Sequence, residues 1–253
     1  MMQILYKLTT AKNRTYNGTT WGENVTHTKK AKRNPLLCSE DVLHAYTNIN
    51  LALLINPLQA DIKNPVIWEA QGDIAVKDWS KVGCFSLTTT KLVPIPEWYK
   101  NEKKRRQVQV LFAILCAEVV LHYFEDTYST DKRVREAIEA AKAYLRNPTA
   151  EAARATEAAK AAKAAWSAAE LARTARAAEA AWSAAVAAKA TVEAAEAAWS
   201  AKAAAVAARA AEAAVWAARA AWVAGIEEKI NFDLLADKAV AEIMKEDSNE
   251  RNN

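Results

Sequence analysis

Lys163-Ala164-Ala165-Trp166-Ser167, Glu179-Ala180-Ala181-Trp182-Ser183 and Glu196-Ala197-Ala198-Trp199-Ser200 punctuate a run from Thr149 to Ala224 that holds no Gly, Pro, Asn or Asp. A degenerate fourth copy, Glu212-Ala213-Ala214-Val215-Trp216, follows them. More than half of the run is Ala, the residue with the highest intrinsic helix propensity, and the missing types are those that break helices or form turns. The run therefore reads as helical. As one unbroken helix it would exceed about 110 Å at 1.5 Å per residue. Trp166, Trp182 and Trp199 stand 16 and 17 residues apart, which turns each by roughly 100–160° from the last on a continuous helix. An antiparallel bundle lets every arm aim its Trp inward, so the spacing predicts breaks near Leu171–Arg176 and Lys189–Thr191, with Gly225 as the C-terminal stop.

The rest of the chain divides around this run. Residues 1–100 read as a β-rich domain, with a first strand in Met2–Thr9 and a polar stretch over Thr10–Asn34. A turn or short helix is expected at Ser39–Val42 and an apolar run at Leu51–Ile55. Val66–Ala70 and Ile74–Val76 flank Gln71-Gly72-Asp73 as a hairpin, and a Thr-rich strand covers Gly83–Val93. Pro94-Ile95-Pro96 marks the boundary, since proline ends both ladders and helices. From Glu102 the period turns helical. Val108, Leu111, Phe112, Leu115, Val119, Val120 and Tyr123 recur at three- and four-residue steps as one apolar face, ending near Asp126–Thr130. Lys132–Arg146 is a second helix stopped by Asn147-Pro148. Phe232–Met244 is the last, with Leu234, Leu235, Ala239, Val240 and Ile243 packing. The expected class is α+β: a small β-rich domain over 1–100, an Ala-rich antiparallel helical bundle over 101–246, and a disordered tail at 247–253.

Charge and cysteine usage narrow the function. The 253 residues carry a formal charge of +4. The first hundred residues are modestly basic and the end is acidic from Glu227 onward, without the strong basic domain of a nucleic-acid binder. Cys38, Cys84 and Cys116 show neither zinc spacing nor an even disulfide framework, which fits thiols in a reducing compartment. No stretch approaches the roughly 18 uncharged apolar residues that span a bilayer, and Met1–Thr10 is not a signal peptide. The sequons at Asn13, Asn17 and Asn24 then read as coincidental, and the expected location is the cytoplasm.

No motif names a reaction. Cys38 and His44 could form a nucleophile–base pair, but no third orienting group is evident, and a ligand-contacting His44 beside Tyr46 reads better. Trp68-Glu69 could meet a ribose or base. The candidate ligand-binding set is therefore His44, Tyr46, Trp68 and Glu69, on one wall of a cleft beside the helical half. Lys103, Lys104, Arg105 and Arg106 begin a helix, where the macrodipole disfavours cations, and are the candidate anion contacts. His27 and His122 are isolated and make no metal site. Glycine-rich phosphate loops are absent, and no cofactor is implied.

Two stretches carry a resemblance. Thr130–Asn147, with its Asp131-Lys132-Arg133-Val134-Arg135-Glu136-Ala137-Ile138-Glu139-Ala140-Ala141 opening and the Ala-rich repeats behind it, resembles an immunity-protein family with an Ala-rich helical domain. Cys38, His44-Ala45-Tyr46, Trp68-Glu69-Ala70, Gly72 and Lys81-Val82-Gly83-Cys84 are similar to an uncharacterised domain family of phages and mobile elements. The resemblance implies a non-enzymatic immunity or anti-defence protein of a phage or mobile element, sequestering a partner protein or a nucleotide-like signal. The alternatives are a virion or scaffold protein that forms homo-oligomers through Ala-rich helices, and a degenerate ADP-ribosyltransferase-like enzyme.

Overall fold

Alternating apolar positions in the first hundred residues build a five-stranded antiparallel sheet. Its strands are β1 (Leu5–Thr9), β2 (Val25–Thr28), β3 (Leu43–Ala45), β4 (Val66–Lys77) and β5 (Val82–Val93). The computed structural model describes residues 3–15, 18–127 and 231–250, with positions 129, 130, 132, 135, 136, 138, 139, 142 and 145. The chain divides into two units, Met1–Lys100 and Asn101–Asn253.

The strand order is β1-β4-β5-β2, with β3 pairing the start of β5. Where β3 ends, Tyr46 exchanges both backbone hydrogen bonds with Tyr6 of β1, at 2.8 and 2.9 Å. The ladder thus runs β1–β4–β5–β3 and returns to β1. The long β4–β5 hairpin reaches round because its register slips three times, between Trp68 and Ala70, Gly72 and Ile74, and Ile74 and Val76; bulges bend and twist a strand. The inner face carries Leu5, Trp21, Leu43, Ala45, Ala70, Val82, Cys84 and Leu87, all buried.

The expected hairpin at Gln71-Gly72-Asp73 is corrected: β4 continues straight through it, and Gly72 pairs with Leu87. Glycine is needed there for closeness, since a Cβ would stand 2.5 Å from the Ser86 carbonyl oxygen. The true turn is the Asp78–Lys81 loop. Asp78 Oδ1 accepts from the Ser80 and Lys81 amides at 2.7 and 2.9 Å, the local bonding that makes Asp a turn residue.

Leu51–Ile55 lies in helix α1 (Ile49–Gln59). Asn48 caps it through a 2.9 Å bond from the Leu51 amide to Oδ1, and residues 51–55 are fully or almost fully buried. A continuously buried run has no period to separate helix from strand. The helix carries Pro57 inside its last turn. The short α2 (Glu97–Lys100) follows the proline boundary, and its Trp98 indole donates to Asn50 Oδ1 at 2.9 Å.

In the second unit, α3 (Glu102–Thr127) begins at Asn101, whose Oδ1 accepts the Lys104 amide at 3.1 Å. The helix matches the expected span but not the expected single apolar face. Residues 108–110 and 112–117 are buried consecutively, Gln109 among them, so this stretch is enclosed on all sides. Two ion pairs tie α3 to Arg135 and Lys142: Arg135 to Glu125 at 2.5 Å, and Lys142 to Glu118 at 2.6 Å. As the first number rises the second falls by the same step, which is the register of an antiparallel helical pair. Helix α4 (Phe232–Glu250) packs against α3. It buries Phe232, Ala236, Ala239 and Ile243 at helical spacing, while Leu234 is exposed. It continues past the expected fraying point at Glu246 because neither Gly nor Pro stops it.

The expected fold class is therefore corrected. The structure describes a five-stranded antiparallel sheet and a few helices, and an Ala-rich antiparallel bundle is not among the described residues; the Trp repeats of 163–216 lie outside them. The helices that are described bury Val, Leu, Ile and Phe together with Ala52, Ala113, Ala117, Ala236 and Ala239. Ala gives helix propensity but buries little surface, so a regular Trp spacing alone does not establish a bundle.

Candidate functional site

His44 stands on β3 and not on a turn or short helix. Its neighbours Leu43 and Ala45 point into the core, so alternation sends His44 and Tyr46 to the outer face, where His44 is half-buried and Tyr46 is buried. The imidazole Nε2–H donates to the Leu37 carbonyl, which leaves Nδ1 as the acceptor of the neutral ring. Burial holds the His44 pKa below the usual histidine value, helped by the Lys81 and Lys7 cations and opposed by the Leu37 carbonyl and the Asp78 carboxylate.

Tyr46 anchors a chain of polar contacts. Its hydroxyl donates to Gln59 Oε1 at 3.4 Å, Gln59 Nε2 donates to Ser80 Oγ at 2.8 Å, and Ser80 Oγ donates to Asp78 Oδ1 at 2.8 Å. Burial, with the Asp78 carboxylate, pushes the Tyr46 phenol well above its ordinary range, so it remains a donor. The network joins the end of β3, the last residue of α1 and the β4–β5 loop. Sequence reading missed Gln59, Asp78, Ser80 and Lys81; the signal that could have found them is the Asp78-Trp79-Ser80 turn opening a strand.

The four expected ligand residues divide between the faces. Glu69 pairs with Tyr6 in the sheet, and Tyr6 pairs with Tyr46 on its other side. Directly paired residues share a face, so Glu69, Tyr6 and Tyr46 form an outer row, with Glu69 and Tyr46 about 10 Å apart at two strand spacings. The Glu69 carboxylate is held by Lys91 Nζ at 3.1 Å. Trp68 faces the other way, buried, with its indole donating to Thr9 Oγ1 at 3.3 Å. It is therefore an interior residue. The expected anion contacts Lys103–Arg106 lie on the first turns of α3, in the other unit. Arg106 pairs with Glu102, and the nearby Lys100 with Glu97 at 2.5 Å, so acidic neighbours and the Asn101 cap relieve the dipole misfit there.

Cys38 is exposed, whereas Cys84 and Cys116 are buried. Burial pushes the Cys84 thiol up to about 11 and the Cys116 thiol higher still, so neither is a nucleophile at neutral pH. Among the described residues no group of three His, Cys, Asp or Glu side chains could hold a metal ion, and no helix is long and apolar enough to cross a membrane. No protein-family model, curated protein or solved structure matches the chain.

Proposed function

We propose that the first unit is a binding module that sequesters a small nucleotide-like molecule through the outer face beside His44 and Tyr46. The observation that carries this reading is the single hydrogen-bonded run Tyr46–Gln59–Ser80–Asp78, flanked by Tyr6 and His44, with the Lys81 backbone amide donating to Asp78 Oδ1 at 2.9 Å. The half-buried Tyr6 and His44 rings supply an aromatic surface beside the buried Tyr46, the Gln59 amide and Asp78 carboxylate supply complementary donors and acceptors, and Lys81 supplies a counter-charge for phosphate. On the resemblance of residues 130–147 the biological role is neutralisation of a toxin or defence signal encoded against a phage or mobile element.

Isothermal titration of the full chain with a panel of nucleoside monophosphates, cyclic dinucleotides and inorganic phosphate tests the reading. One panel member should bind, be recovered chemically unchanged, and lose about tenfold or more in affinity on Lys81→Ala or Gln59→Ala, the scale of a lost charged hydrogen bond. Absence of binding across the panel, or binding indifferent to both substitutions, overturns the proposal.

A further inference from the structure

The loop between β2 and β3 carries Lys29-Lys30-Ala31-Lys32-Arg33 and then Asn34-Pro35-Leu36-Leu37. Every residue of the basic run is exposed, and Leu36 is 69% exposed, the most of any large apolar side chain among the described residues. The loop is nevertheless tied down along its length. The Lys29 amide donates to the Phe85 carbonyl at 2.7 Å. Leu37 turns inward beside Val42, so close to Gly83 of β5 that a Cβ there would stand 3.0 Å from Leu37 Cδ1. Asp41 then brings the basic run and the apolar tip together. Its Oδ1 accepts from the Lys32 ammonium and its Oδ2 from the Leu36 amide at 3.4 Å, while the Leu36 carbonyl accepts the Ser39 hydroxyl at 2.7 Å. The Leu36 backbone is thus bonded on both sides and its side chain is held out to water, beside a lysine fixed on the same carboxylate. Exposed Lys63, Lys91 and Lys100 each have a carboxylate partner. Among the described residues, none pairs with Lys29, Lys30 or Arg33.

We propose that this loop docks the chain on an anionic lipid surface, with Lys29, Lys30 and Arg33 against the headgroup phosphates and Leu36 in the acyl boundary. Cations near an anionic leaflet and an apolar side chain entering it add to one another. A single-stranded nucleic acid would also attract the cations, but such strands stack their bases on aromatic rings, and residues 29–42 contain none. It would leave Leu36 without a partner, which the acyl boundary supplies. The acidic residues Glu40 and Asp41 come after the tip, and Asp41 is already engaged by Lys32. Three such cations at about fivefold each and one leucine at about tenfold give a weak and reversible association, of the kind one lipid chain alone provides.

Co-sedimentation of the full chain with vesicles of phosphatidylserine and phosphatidylcholine in equal parts, against phosphatidylcholine alone, tests the docking. Only the anionic vesicles should bind, and about 1 M salt should release the chain by shortening the screening length to about 3 Å. Lys29→Gln, Lys30→Gln and Arg33→Gln together should weaken binding about a hundredfold. Leu36→Ala should weaken it about tenfold, and Leu36→Trp should tighten it, since Trp favours the membrane interface. Lys63→Gln, in a different loop, should change nothing. An environment-sensitive fluorophore on exposed Cys38 should shift to the blue on anionic vesicles. Vesicle binding indifferent to lipid charge or to the loop substitutions overturns the proposal. So does a single-stranded oligonucleotide whose binding the triple variant loses while vesicle binding persists.

Discussion

Replacing Lys7 with Met should stabilise the chain at neutral pH, and only there. The pKa of Lys7 falls from 10.5 to about 8 on folding, chiefly by burial. At about 1.4 kcal/mol per unit, the charged amine costs the folded state about 3 kcal/mol. A lowered lysine pKa means that between pH 8 and 10.5 the unfolded chain binds a proton that the folded chain has released. Stability therefore rises with pH across that window, and the full cost is present below it. That shift comes from burial and from the Cys84 and Lys81 charges, so the bond to the His44 carbonyl and the contact with Trp21 lie outside it and their loss offsets part of the gain. Met has a similar reach and fills irregular apolar space. Urea denaturation of both full-length proteins at pH 7 and pH 10.5, with amide exchange in β1 and β4 as the local readout, measures the difference. The variant should be more stable by about 1–2 kcal/mol at pH 7, and that advantage should be lost by pH 10.5. A variant less stable at pH 7, or a gap that does not change with pH, would refute the reasoning.

Gly72→Ala should destabilise the first unit by about 1–3 kcal/mol, because the new Cβ meets backbone oxygen at 2.5 Å; thermal unfolding reads this, and an unchanged midpoint counts against the close approach. Asn48→Ala should cost about 1 kcal/mol by removing the α1 cap, and Asn48→Asp should retain most of it in the same denaturation assay. Iodoacetamide should label Cys38 in the native chain while Cys84 and Cys116 react only after denaturation, as mass spectrometry of the tryptic peptides will show; native labelling of Cys84 would contradict its place in the core.

The parts of the fold that local chemistry governs were readable in advance. The span of α3 followed from its apolar spacing after Glu102, and β5 from its Thr-rich run after Gly83. Gly72 was not readable, because glycine at a turn and glycine beneath a crowding carbonyl look alike until the partner strand is known. His44 lies on a strand of three residues, too short to show a period. Trp68 and Glu69 are adjacent, so alternation had to separate them across the sheet once β4 was a strand. Lys7 was the least legible of all. In Leu5-Tyr6-Lys7 a lysine reads as the solvated member of the alternation, and only the return of β3 to β1 closes over it.

That closure also decides when the unit can fold. β1 is made first, but its partners arrive late: Thr9 and Trp68 are 59 residues apart, and β5 ends only at Val93. Loop-closure entropy has to be met before these distant pairings offset it, so the unit belongs among slowly forming, high-contact-order structures. During synthesis β1 waits with both edges open, and the Leu5–Thr9 segment is then the part of this unit most exposed to mispairing with another chain.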